Sequence, residues 1–140
     1  MALYPCGGRG GTETSLWRNS NQDIDQNFSG RDITLSQAYT NFDYIKIIYT
    51  SGLSSSGGIL LRGETEIIFP IERITFSSSS YRCHLTDYID GNYYREFYKK
   101  SSTVFNFSDD IYQIDGDDAD KRYGEFPYNC VPLKIIGLKV

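Results

Sequence analysis

The chain is predicted to be all-β, an antiparallel β-sandwich or jelly roll of about eight short strands behind a flexible N-terminal arm. Three observations point there. No segment of ten or more residues repeats apolar side chains at the spacing of a helix. Several short stretches instead alternate apolar and polar residues, as a strand with one buried face must. Clusters of Gly, Ser, Asn and Asp interrupt them roughly every 8 to 15 residues, as in a chain that repeatedly doubles back.

In chain order, residues 1–11 form the arm, because "GGRGG" (Gly7 to Gly11) has too much backbone freedom to order without an outside partner. Residues 12–140 are expected to make one sandwich domain. "TETSLWRN" (Thr12 to Asn19) reads as a short strand and "NSNQDIDQN" as a polar loop. "RDITLS" (Arg31 to Ser36) alternates, with Ile33 and Leu35 inward.

"NFDYIKIIYTSG" (Asn41 to Gly52) is a strand with apolar residues on both sides. Ile45, Ile47 and Tyr49 share one face and are assigned to the core; Phe42, Tyr44 and Ile48 share the other with Lys46. A surface strand of an antiparallel sheet has one polar face. The second set, Phe42, Tyr44 and Ile48, is therefore assigned to a subunit interface, wetted at its rim by Lys46.

"TSGLSSSGG" (Thr50 to Gly58) reads as a turn or loop. "ILLRGETEIIFPIERITF" (Ile59 to Phe76) reads as two strands hinged near Gly63, with Pro70 at an edge or bulge. "YRCHLTDYIDGNYYREFYKK" (Tyr81 to Lys100) is a hairpin about Asp90-Gly91, since a type I′ turn needs two positive φ angles. "TVFNFS" (Thr103 to Ser108) alternates, "DDIYQIDGDDADKRYGEFPYN" is an acidic loop, and "CVPLKIIGLKV" (Cys130 to Val140) is the closing strand.

Charge narrows the partners. Lys and Arg total 14 against 18 Asp and Glu, a net charge of -4, so the basic stripe of a nucleic-acid binder is missing. No apolar run approaches the roughly 20 residues that cross a bilayer, and "MALYPCGGRGG" lacks a charged segment followed by an apolar one. The expectation is a soluble protein without nucleic-acid or membrane partners, made in a cytoplasm. Cys6, Cys83 and Cys130 make an odd count expected to be free thiols, with a Cys83 to Cys130 bridge left open.

Catalytic constellations are not visible. The one histidine, His84, adjoins Cys83, but neighbouring strand residues face opposite ways, so His84 reads as structural or surface. There is no G-x-S-x-G elbow, no phosphate-binding glycine loop and no H-E-x-x-H. Zinc would have to draw on Cys6, Cys83, His84 and Cys130, which lack paired spacing. Asp115, Asp117, Asp118 and Asp120 lack the glycine and bidentate glutamate of a calcium loop and read as solvated, with cation binding there left open. A non-enzymatic protein without cofactor or metal is expected.

With 12 Tyr and 8 Phe, the chain suits half-buried sheets and wet contact surfaces. Tyr88, Tyr93, Tyr94, Phe97 and Tyr98 crowd one hairpin beside Arg95, Lys99 and Lys100. Tyr93, Tyr94 and Tyr98 are the candidate contacts to a glycan or protein partner. Cross-strand aromatic pairing within the sheet is the alternative.

The order "TETSLWRN", "FSGRDITLS", "NFDYIKIIYTS" and "VPLKIIGLKV" resembles the strand pattern of small C-terminal head domains in bacteriophage tail, baseplate and virion-decorating proteins. Leu16-Trp17, Phe28 with Ile33, Leu35 and Ser36, the Phe42-to-Tyr49 strand and the closing Ile135, Gly137, Leu138 and Lys139 carry it. It covers the first third and the last ten residues. The resemblance implies a trimeric β-sandwich located in a virion, in contact with other virion proteins and attaching to a host-surface saccharide. Its alternatives are a purely structural capsid-decoration or connector protein and, last, a cell-wall hydrolase.

Overall fold

Short alternating segments close into two antiparallel sheets. In the computed structural model the described residues are 11–20, 27–55, 58–87, 92–113 and 120–140. They contain strands β1 (Thr12–Arg18), β2 (Arg31–Thr34), β3 (Tyr44–Ser55), β4 (Gly58–Pro70), β5 (Cys83–Thr86), β6 (Tyr93–Ser101), β7 (Val104–Gln113), β8 (Lys121–Tyr123) and β9 (Val131–Lys139). A 3-10 turn at Tyr39–Asn41 and a single-turn helix, α1 (Ile71–Thr75), complete the order. One sheet runs β1-β9-β3-β4; the other runs β2-β7-β6-β5, with β8 also on β7. The class is all-β and the two sheets pack as a β-sandwich.

Phenylalanines from the two inner faces interlock. Phe69 on β4 meets Phe97 on β6 edge-on at 5.3 Å, and Phe97 stacks on Phe107 of β7 at 5.1 Å. Phe28, from the segment before β2, joins Trp17 of β1 to Phe107. Tyr49 spans the layers with its hydroxyl, donating to the Thr86 carbonyl at 2.8 Å. Each such side chain, fully buried, contributes on the order of 1.5–3 kcal/mol before conformational entropy is set against it.

The strand with two apolar faces is resolved within the chain. Ile45, Ile47 and Tyr49 do enter the core. Phe42 does too, so its assignment to the second face is corrected: it follows the 3-10 turn rather than lying in β3, and strand alternation does not reach it. Ile48 is only 7% exposed and joins the same hydrophobic cluster, and Tyr44 is half-buried. Neither Phe42 nor Ile48 therefore needs a second subunit for cover. Lys46, also buried, sits in a charge ladder with its Nζ 2.8 Å from Glu13 on β1 and 4.0 Å from Glu66 on β4.

Gly137 shows why Phe42 ends where it does. A Cβ on Gly137 would lie 2.5 Å from the Phe42 ring, far inside van der Waals contact, so the ring occupies the space a side chain would need. Gly137→Ala is expected to cost about 1–3 kcal/mol by overpacking. Combined with Phe42→Ala it should cost less than the two single losses added, which thermal or urea unfolding would read directly.

Two further expectations change. The Thr50 to Gly58 loop and the two strands hinged at Gly63 are instead one long hairpin, β3 running to Ser55 and β4 from Gly58 without a break. Gly63 adopts a φ of 103° beside a register shift between Thr50 and Gly52, and its carbonyl accepts the Thr50 hydroxyl at 2.6 Å. That is a bulge, which glycine permits, rather than a chain reversal. Pro70 does end an edge strand, but the residues after it coil into α1, for which proline's fixed φ is already suited.

Cys83 and Cys130 are buried free thiols, with burial raising them to about 11 and about 12. The N-terminal arm through residue 10, Cys6, Tyr88, the Asp90-Gly91 turn, and Asp115, Asp117 and Asp118 lie outside the described residues.

Between the sheets sits a charge contributed by the aromatic hairpin. Arg95 is 0% exposed. Its Nε donates to the Cys130 carbonyl at 2.9 Å, and its terminal nitrogens to Ser108 at 2.8 Å and Asn129 at 3.0 Å, while its guanidinium lies 5.0 Å from the Phe28 ring centre. Burial pulls its pKa down to about 10 despite the nearby Asp110, whose own carboxyl is raised, first by burial. Arg95 thus ties β6 to the corner entering β9, where Cys130 holds a left-handed φ of 49°.

Candidate functional site

Strand alternation divides the aromatic hairpin in two. On β6, Tyr93, Arg95 and Phe97 turn one way and Tyr94, Glu96 and Tyr98 the other. Tyr93 goes with the interior set, packing on Tyr112 at 4.7 Å and edge-on against Phe126 at 5.3 Å. Tyr94 and Tyr98 share the outer face, four residues apart along β6, and Tyr93 does not join them.

The register between β5 and β6 sets His84 opposite Glu96 and Thr86 opposite Tyr94. The His84 imidazole stacks on Tyr94, centroids 5.2 Å apart and planes 24° from parallel, while its Nε2 reaches Glu96 Oε2 at 2.9 Å. Arg82 lies 3.7 Å from the other Glu96 oxygen and over the Tyr98 ring at 5.3 Å. The hydrogen bond from His84, above all, holds the Glu96 carboxyl below its usual range, and nearby positive charge adds to it against partial burial. The carboxylate is consequently kept ionised and oriented.

The row continues sideways. Tyr94, Ile111 and Tyr123 are aligned across β6, β7 and β8, with Ile111 buried and the Tyr94 hydroxyl donating to Gln113 at 3.1 Å. Above these strands lies a cavity of about 550 Å³ whose walls include His84, Glu96, Arg82 and Arg73. Tyr81 and Tyr123 also line it, and they remain 73% and 60% exposed. It offers a fixed carboxylate, guanidinium donors and two open aromatic rings.

His84, Arg82, Glu96, Tyr81 and Tyr123 were not singled out in the sequence as contacts. Ser79 and Ser80 share the cavity, and among the described residues no serine hydroxyl bonds His84. Among the described residues no group of three or more His, Cys, Asp or Glu is placed to hold a metal, and no helix is long and apolar enough to cross a membrane. No protein-family model matches the chain, and a search of curated proteins finds no match.

Proposed function

We propose that this domain is a non-enzymatic attachment module of a bacteriophage virion, of the tail-fibre or tail-tip kind, which binds a host-surface saccharide on the outer face of β5, β6 and β8. The virion assignment and the trimer that goes with it rest on the strand pattern of the sequence. The saccharide assignment rests on one structural observation: two exposed tyrosines, Tyr81 and Tyr123, border a polar cavity with an oriented carboxylate and arginines. A pyranose ring has an apolar C–H face and a rim of hydroxyls. Open aromatic rings match the first, and fixed Glu96 and Arg82 match the second.

A glycan array or cell-binding assay on the isolated protein tests this. Tyr81→Ala and Tyr123→Ala should each weaken saturable binding about tenfold, the scale of one lost aromatic contact, with little change in melting temperature because both rings are exposed. No saturable binding to any saccharide, or variants that bind like the native chain, removes the attachment role.

A further inference from the structure

Past Arg73 and Tyr81 the cavity does not end. A second hollow of about 340 Å³ shares both residues and adds Phe76, which is 76% exposed. The chemistry changes across that boundary: Arg82, His84 and Glu96 line the first hollow, whereas Arg73 and two large bare rings line the second. The backbone that carries Phe76 and Tyr81 is held by hydrogen bonds. Ser77, just after Phe76, donates its hydroxyl to the Ile74 carbonyl at 2.6 Å and accepts the Lys99 N–H at 3.0 Å. Ser78 Oγ accepts the Tyr81 N–H at 3.1 Å, Arg82 Nε donates to the Ser79 carbonyl at 3.0 Å, and Arg73 donates to the Arg82 carbonyl at 2.7 Å. The loop is braced from several directions, which lowers the ordering cost of binding there.

We infer that the two hollows form one elongated site, which takes an extended saccharide chain lying across β8, β6 and β5 and on to Phe76, rather than a single terminal sugar. This rests on the saccharide-binding reading and sharpens its ligand class. From β8 to β5 the site crosses three strand spacings, roughly 14 Å, more than one sugar ring fills. Exposed rings stand at each extremity, Tyr123 at one and Tyr81 with Phe76 at the other, and the polar groups lie between. A chain of sugar units can use both ends at once; a monosaccharide leaves one of them bare.

An array of mono- through hexasaccharides decides it, probed with the native chain, Phe76→Ala and Glu96→Gln. For the recognised saccharide series, affinity should climb with chain length over the first few units and then level off. Phe76→Ala should remove about tenfold from the longest ligands while leaving mono- and disaccharides unchanged, and Glu96→Gln should weaken every length. Because Phe76 is mostly exposed, its alanine variant should melt with the native chain. Affinity that is independent of length, or a Phe76→Ala loss equal at all lengths, overturns the elongated site and leaves saccharide binding standing. No binding at any length, or Glu96→Gln binding like the native chain, overturns both.

Discussion

Arg95→Ala is expected to destabilise the domain by about 3–5 kcal/mol, enough to lower the melting temperature by 10 °C or more, roughly, in a chain of this size. The loss has a specific source. The guanidinium serves the carbonyls of Ser108, Asn129 and Cys130 in space that water does not reach, and truncation leaves all three without that donor. It also releases the corner at Cys130, whose positive φ is held by its neighbours. Arg95→Lys should recover only part of the stability, because one ammonium does not reproduce the planar fork that meets acceptors on two segments. Thermal melts and urea unfolding give the ranking native, then lysine, then alanine. If Arg95→Lys melts with the native chain, the fork geometry is not what matters.

Ile47→Asp is expected to prevent folding outright, whereas Ile48→Asp should yield a folded but weakened domain. Ile47 is 0% exposed, between Ile67 and Ile135 on the neighbouring strands, so a carboxylate there has only hydrocarbon beside it. Ile48 is almost as buried, yet it is registered against Lys134 on β9 and Glu66 on β4 and lies on the Lys46 side of β3. An aspartate at 48 lies in a ladder that already mixes Lys46 and Lys134 with Glu66, so the two lysines offset part of its desolvation cost while Glu66 opposes it. Circular dichroism of the purified variants separates the outcomes: loss of strand signal for Ile47→Asp, and retained signal with a lower melting temperature for Ile48→Asp. Equal loss in both would mean that the charged ladder gives no relief.

Much of the fold is legible in short segments. Period-two patterning identifies β1, β2, the first half of β7, β9 and the core residues Ile33, Leu35, Ile45, Ile47 and Tyr49, but the segment read as an acidic loop instead continues β7 to Gln113 and supplies β8 at Lys121–Tyr123. The patterning misplaces Phe42, because a 3-10 turn breaks the alternation one residue before it. It divides β4 at Gly63, because a glycine that bends a strand and one that ends it look alike from sequence.

The site was harder to read, and one residue of register explains why. A two-residue turn centred on Asp90-Gly91 would pair His84 with Phe97 and scatter the polar residues over both faces. The register observed pairs His84 with Glu96, and a shift of one flips every side chain to the other side. It is that register which stacks His84 on Tyr94 and turns Tyr93 toward Phe126.

By itself, then, the sequence determined the class of the fold, several of its strands and most of the apolar residues they send inward, since these follow from local alternation and turn chemistry. Only the tertiary structure decided which polar residues meet. Arg95 with the carbonyls of β7 and the β9 corner, and Arg82 and His84 with Glu96, are joined by strand order and register, which local chain chemistry does not encode.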